Sequence, residues 1–391
     1  MKALLLSPAL KTATVTHLPL PLPPPQLPSH LLLRTSHIAL NPVDALYTLH
    51  PLASPTDPPR TDVGSDFSGT VLPPSSHPSL PPGTLVAGFL QGASSSNPLP
   101  GAFAEYITVE SDLVWRVPRG MSAAQAAGVS LCGLTAAQMV VWRLGMPAAF
   151  GYVPSGGTDV RAAGVWEGKD EVTVFVYGAS TSVGIYAAQL VRRGFEAAGR
   201  RVRLIGAAGR GRWGVLRGGT YGYEELVDYK DEGWVGRVRG FTEEGRGVDF
   251  ALDCVSEGVT VRMVSETLGE GGKVAIVRSR EGGAWRTEGV PMEKVVYGAV
   301  WEGLGKEVGY TGFVVPASAE ARAFAAAFYR WLSEGRNLEP SPVRLMPGGL
   351  ERVVEDGFAL LGAGTMEDRV SREEEWMKPV HGEKLVYQIH A

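Results

Sequence analysis

The stretch that most constrains this 391-residue chain is Val172–Arg193, VTVFVYGASTSVGIYAAQLVRR. Val172 to Tyr177 are mostly β-branched or aromatic, as in a strand buried on both faces of a parallel sheet. Gly178-Ala-Ser-Thr-Ser-Val-Gly184 follows, small and hydroxylated, and an apolar-periodic helix begins near Val183. Strand, tight turn and helix together aim unpaired backbone N–H groups and a helix N-terminus at a pyrophosphate. The hydroxyls of Ser180, Thr181 and Ser182 add direct donors to phosphate oxygens. The turn departs from G-x-G-x-x-G, a threonine standing where a central glycine could, and it also suits any βα connection of a doubly wound sheet. The rest of the chain decides between these readings.

Length allows two domains with substantial cores, and 44% hydrophobic with 20% charged residues describes an ordinary globular protein. A formal charge of −4, with no basic run interleaved with aromatics, excludes a nucleic-acid surface. Cys132 and Cys254 are too few for a disulfide framework and sit in apolar segments, as in a reducing compartment. No run reaches the ~18–20 apolar residues of a membrane span. Pro8 and Lys11 interrupt the apolar start, so a cytoplasmic enzyme with no membrane partner is the expectation.

Residues 1–126 are proline-rich with short β-type runs, among them Lys2–Leu6, His30–His37, Thr70–Leu72, Thr84–Phe89 and Ala102–Val109. Pro19–Pro28 reads as an extended connector, and Pro73–Pro82 and Ser94–Pro98 as surface loops. Ala123–Arg143 reads as one helix, and Gly145–Gly168 as a loop into the phosphate-turn strand. Further strands are expected at Arg201–Gly206, Val248–Val255 and Lys273–Val277, the last after a Leu268–Gly272 turn. Strands alternating with helices over 127–310 imply a parallel, doubly wound α/β sheet. Residues 311–391 begin with a helix at Ala317–Glu334 and end in a strand at Lys384–Ile389, which is expected to rejoin the N-terminal β unit.

Several segments then occur in a telling order: Ala39-Leu-Asn-Pro-Val-Asp44, Gly64-Ser-Asp-Phe-Ser-Gly69, Gly101-Ala-Phe-Ala-Glu-Tyr106, Leu134-Thr-Ala136, Gly178–Gly184, Val227-Asp-Tyr229 and Gly382-Glu-Lys-Leu-Val-Tyr387. In that order they resemble the medium-chain dehydrogenase/reductase superfamily, in which a Rossmann domain is inserted in a split GroES-like β-rich catalytic domain. Within it the chain is most similar to the zinc-free quinone-oxidoreductase-like branch, and most resembles fungal trans-acting enoyl reductases that serve polyketide synthases. Zinc is not expected. Gly64–Gly69 lacks a His-Glu pair, no cysteine precedes Cys132, and the seven histidines show no ligand spacing.

Cofactor choice is read after the second Rossmann strand, where an acidic residue would bind the ribose 2′-hydroxyl of NAD and basic groups a 2′-phosphate. Ala207-Ala-Gly-Arg-Gly-Arg212 has no acid. Arg210 and Arg212, in the loop with Gly209 and Gly211, can clamp a phosphate, or the loop is simply solvated. The first reading makes the cofactor NADPH, and the resemblance places Tyr229 near the same phosphate. The resemblance also places Val43, Asp44, Ala45, Leu46, Leu268, Gly269, Val380 and His381 along the cofactor. It sets Ser130, Leu131, Cys132, Gly133, Leu134, Ala136, Ala137 and Glu302, Gly303, Leu304, Gly305, Lys306 around the substrate.

The resemblance implies hydride delivery from NADPH to the β-carbon of an α,β-unsaturated carbonyl. Such chemistry needs donors for the enolate oxygen and a proton source. Thr135, Tyr47 and Asn41 are the candidates, with Asp44 as a backbone brace. One departure stands out: the relatives carry N-P-x-D-x-K, and here the lysine position is Leu46. Either another donor covers the loss, the lysine is dispensable, or the chemistry has changed. Three functions follow. They are an enoyl reductase acting in trans on a free or carrier-tethered polyketide intermediate of a synthase partner, a quinone or small-enone reductase, and a non-redox cyclase, isomerase or synthase partner.

Overall fold

The computed structural model describes residues 1–20, 29–75, 77–92, 100–152, 169–310, 313–335 and 337–390. Most of Pro19–Pro28, the whole of the expected Ser94–Pro98 loop, residues 153–168 and positions 311 and 312 lie outside them. The chain divides into two compact units, Met1–Leu131 with Trp301–Ala391, and Cys132–Val300. Among the described residues no helix is long and apolar enough to cross a membrane.

The first unit carries β1 (Lys2–Ser7), β2 (Thr12–His17), β3 (His30–Ala39), β4 (Asp66–Val71), β5 (Leu85–Phe89), β6 (Tyr106–Glu110) and β7 (Val114–Arg116). The second carries β8 (Glu171–Tyr177), β9 (Arg201–Ala207), β10 (Glu225–Val227), β11 (Val248–Asp253), β12 (Leu268–Ile276) and β13 (Val295–Tyr297). Back in the first unit come β14 (Val308–Gly309), β15 (Val314–Val315), β16 (Val343–Met346) and β17 (Lys384–Gln388).

In the first unit the main sheet runs β16-β17-β3-β4-β5-β7, with β6 also paired to β3. β3 and β17 pair antiparallel, so the chain's last strand does rejoin the N-terminal sheet. Leu31, Leu33 and Ile38 of β3 pack with Phe67, Ile107, Leu385 and Tyr387 in one apolar core. Strand β4 starts four residues before the expected Thr70, because Phe67 and Ser68 are both buried and polar-apolar alternation is lost there. Of the expected Ala102–Val109 strand only Tyr106 onward forms a ladder, and Ala104 makes an isolated bridge to Ala3.

The expected single helix over Ala123–Arg143 is broken. Helix α2 (Ala123–Ala127) is boxed by Ser122 and Gln125 and stops at Gly128, where a Cβ would lie 2.7 Å from the Lys384 side chain. Helix α3 (Ser130–Ala137) then runs into a π-helical turn, Gln138–Arg143.

The second unit's six-stranded parallel sheet has the order β10-β9-β8-β11-β12-β13. The chain crosses from β10 back to β11 on the other side of β8, the switch of a doubly wound sheet. Phe175, Ile205, Val227, Ala251, Val274 and Ile276 supply its core. The expected Leu268–Gly272 turn belongs to β12 itself, and the extra length appears as a register shift opposite Val248 and Phe250.

Candidate active site

In the second unit, strand register puts Val227, Ala207, Tyr177, Asp253, Ile276 and Tyr297 in one row at the carboxyl ends of all six strands. Ligands of open parallel sheets sit beyond such an edge. Gly178 follows Tyr177 with φ +76°, and α4 (Ser182–Ala197) starts after it, capped by Thr181, whose Oγ1 accepts from the Gly184 N–H at 3.1 Å. The Ile185 N–H donates to the Thr181 carbonyl, which leaves the Ser182 and Val183 N–H groups at the helix start for a ligand. A Cβ on Gly184 would lie 2.4 Å from the Gly178 carbonyl oxygen, so glycine alone permits this approach of helix to turn.

Gly209, Arg210, Gly211 and Arg212 follow β9 at the same edge, and Tyr229 follows β10. The Arg210 guanidinium donates to Asp231 at 2.7 Å and lies 3.5 Å from Asp228. Trp213 carries the guanidinium groups of both Arg210 and Arg217 at 5.6 Å, its indole N–H fixed on the Ala208 carbonyl. The Arg212 Nε is buried with no hydrogen-bond partner among the described residues. Tyr229 is exposed, edge-on to Tyr177, with Lys230 over its ring. Helix-start donors and a buried guanidinium nitrogen that are unpaired among the described residues, together with a glycine-tight turn, fit a nicotinamide dinucleotide at this edge.

Leu268 and Gly269 are not brought to this edge. Leu268 pairs with Val248, about 17 Å back along β11 from Asp253 by strand rise. Ile276 and Val277 occupy the β12 end instead, the Val277 N–H donating to Ser256 Oγ. The signal was present in Lys273–Val277, since the carboxyl end of a parallel strand faces the ligand.

Thr135 is the one residue from Ala126 to Val140 that is not buried. Cys132, Gly133, Leu134, Ala136 and Ala137 around it are all buried.

In the first unit, α1 (Pro42–Leu49) begins with proline at its first position, and Asp44 accepts the Asn41 N–H at 2.7 Å. Asn41 is 1% exposed, donates from Nδ2 to Asp66 at 3.0 Å and accepts from Lys384 Nζ. Lys384, 4% exposed, also pairs with Asp66 at 3.2 Å, and the Leu131 N–H donates to the same carboxylate. Asp44's other oxygen accepts from Ser65 Oγ at 2.6 Å. Burial pushes Asp44 up to about 7, with Ser65, Asn41 and Lys384 opposing and Asp66 adding to it. Burial also raises Asp66, against Lys384, Asn41 and Leu131. Asn41 and Asp44 therefore anchor the start of α1 from behind. Ser65, Asp66 and Lys384 complete this buried network; sequence reasoning left them unassigned, although they lie in the Gly64–Gly69 and Gly382–Tyr387 motifs.

Val43, Leu46 and Tyr47 are half-buried on α1 while Ala45 faces the core. Val380 packs on that core, and His381 is exposed with its N–H on Glu383. Ser130 is tied to Trp115 and Tyr329. Gly303 and Leu304 are buried, Glu302 half-buried, and Gly305 takes φ +70° against Arg322. Lys306 reaches Glu110 at 2.5 Å, which turns it into an ion-pair cluster with Arg322. Among the described residues no group of three or more His, Cys, Asp or Glu could hold a metal.

Asp44 gives a pH prediction. A carboxyl raised from 3.8 to about 7 on folding binds more protons in the native than in the unfolded state between those values. Its contribution to stability is full below pH 4 and is lost as pH rises to about 7. The difference between wild type and Asp44→Asn in urea midpoint is expected to change over that window and to stay flat above pH 8. A flat difference throughout would show that folding leaves the Asp44 carboxyl at its ordinary value.

No protein-family model matches the chain. Solved structures of similar fold include an NAD-dependent alcohol dehydrogenase (TM-score 0.65, 23% identity, all of both chains covered). They also include the CurK enoyl reductase (0.67, 15% identity, 100% and 99% covered) and a mycobacterial protein complexed with NADPH (0.63, 19% identity, 99% of each). These define the class: a medium-chain dehydrogenase/reductase fold. The trans-enoyl reductase thnE of Trichoderma harzianum is 30% identical over 371 residues, 92% of this chain and 89% of that protein. The enoyl reductase cheB of Chaetomium globosum is 28% identical over 344 residues, 85% and 84%. The chain belongs to the medium-chain oxidoreductases, in the family of fungal trans-enoyl reductases.

Proposed function

We propose that this protein reduces the carbon–carbon double bond of an α,β-unsaturated carbonyl with NADPH, acting in trans on a polyketide-type intermediate, free or tethered to a carrier of its synthase. The observation that carries the cofactor half is the strand edge where the Gly178–Gly184 turn and the acid-free Arg210–Arg212 loop stand in one row. The enoyl half rests on family membership.

Bound there, NADPH supplies a hydride for the substrate's β-carbon. Ser180, Thr181, Ser182 and Val183 hold the pyrophosphate, and Arg210, Arg212 and Tyr229 the 2′-phosphate. Thr135, half-buried in an otherwise buried helix, donates to the carbonyl oxygen as enolate charge develops. Tyr47 delivers the α-proton, with Leu46 a tolerated replacement for lysine. Asn41 acts as a positioning residue through α1.

Thr135→Val is expected to lower kcat by about 10–100-fold while NADPH affinity stays within twofold. An unchanged kcat removes Thr135 from the chemistry. An enoyl thioester and a simple quinone, each assayed with NADPH, separate the readings. Turnover of the thioester supports enoyl reduction, turnover of the quinone alone supports the small-acceptor reductase, and NADPH binding without oxidation supports a non-redox role.

A further inference from the structure

One of the two guanidinium groups read as 2′-phosphate ligands, that of Arg210, is already engaged. Arg210 donates to Asp231 at 2.7 Å and faces Asp228 at 3.5 Å. Asp231 is shared with Arg237 at 3.1 Å, so one carboxylate bridges two arginines. Asp228 is fixed in turn by the Lys230 N–H at 3.0 Å, and the Asp231 N–H closes a turn onto the Asp228 carbonyl. The Arg210 side chain is 64% exposed and Asp231 30%, so the pair lies at the surface and can be parted. The same guanidinium lies over the Trp213 ring at 5.6 Å. The indole orients the cation, and its Nη2 donor is spent on Asp231.

We propose that Asp231 sets the affinity and the nicotinamide choice of this site by competing with the 2′-phosphate for Arg210. This rests on the reading of Arg210 as a 2′-phosphate ligand. A dianionic phosphate offers more charge and more acceptor oxygens than the carboxylate, so it takes the guanidinium, and Asp231 falls back on Arg237. NADH brings no group that displaces Asp231, so its binding leaves the pair intact. The acid that NAD-binding folds place at the end of the second strand is absent here. Restraint on NADPH comes from the loop after β10 instead, 21 residues from Arg210. The competitor makes cofactor release easier than two unopposed cations, Arg210 and Arg212, would.

Calorimetric titration of the full chain with NADPH and with NADH tests this, without any turnover. Asp231→Asn is expected to tighten NADPH about three- to fivefold and to leave NADH within twofold, the size of an exposed ion pair removed. Arg210→Gln is expected to weaken NADPH by about tenfold or more with NADH unchanged. In the double variant the gain from Asp231→Asn disappears. If Arg210→Gln weakens NADPH but Asp231→Asn does not tighten it, the competition is overturned and the 2′-phosphate reading survives. If Asp231→Asn weakens both cofactors together, Asp231 is a structural brace and the proposal fails. If Arg210→Gln leaves the NADPH-to-NADH ratio unchanged, the underlying reading fails with it.

Discussion

Replacing Lys384 by methionine is expected to cost about 3–5 kcal/mol of folding stability. The reason is what remains behind. Asp66 is wholly buried and has Lys384 as its cationic partner at 3.2 Å, while Asn41 and the Leu131 N–H only donate to it. Without the ammonium group, burial drives the Asp66 carboxyl to protonate, and Asn41 loses the donor on its Oδ1. Methionine keeps the packing beneath Gly128, where the lysine stem lies, so the loss measured is electrostatic. The double variant Lys384→Met with Asp66→Asn removes both charges and is expected to recover about half or more of that stability. Urea denaturation of the four proteins of the cycle gives the coupling. Additive losses would mean that the two groups do not depend on each other.

The second large effect is expected at Gly184. An alanine there places its methyl 2.4 Å from the Gly178 carbonyl oxygen and 3.0 Å from Ala179 Cα, both backbone atoms that cannot swing away. Either α4 retreats from the turn or the turn opens. Both displace the Ser182 and Val183 N–H groups and the Thr181 cap from their common focus. NADPH affinity is expected to fall by about tenfold or more, at a stability cost of about 1–3 kcal/mol. Gly236→Ala is the control. It also lies within a helix of this unit, Trp234–Gly240, but nothing stands within 4 Å of its added methyl. That variant should bind NADPH normally and be stabilised by up to about 1 kcal/mol. Titration and denaturation of both variants check this, and a Gly184→Ala protein that binds as well as wild type would remove the turn from the cofactor site.

What could be read in the sequence was local. The phosphate turn is one continuous stretch, and its strand, small residues and helix declare themselves by composition and period over Val172–Arg193. Parallel order followed from alternation, and the return of Lys384–Gln388 to the first sheet followed from its isolated β pattern. What was not legible depends on distance along the chain. Asn41 meets Lys384 across 343 residues, and no pattern near either announces the other. Leu268 and Gly269 look like a ligand-lining turn in sequence, but register fixes them at the amino end of β12. The break at Gly128 was hidden because the alanine-rich flanks favour one helix and only the lysine packed beneath explains the glycine. Arg210 and Arg212 were visible as cations, whereas the carboxylates already facing Arg210 were not.

The most direct test of the central claim is a single reaction of the purified protein with an α,β-unsaturated acyl thioester and NADPH deuterated at C4 of the nicotinamide, read by mass spectrometry and proton NMR of the product. A saturated thioester carrying one deuterium, at the β-carbon, is expected for each NADPH consumed when the label is on the transferred face. A product with deuterium at the carbonyl carbon, or NADPH bound but unconsumed across acceptors of several chain lengths, would contradict it.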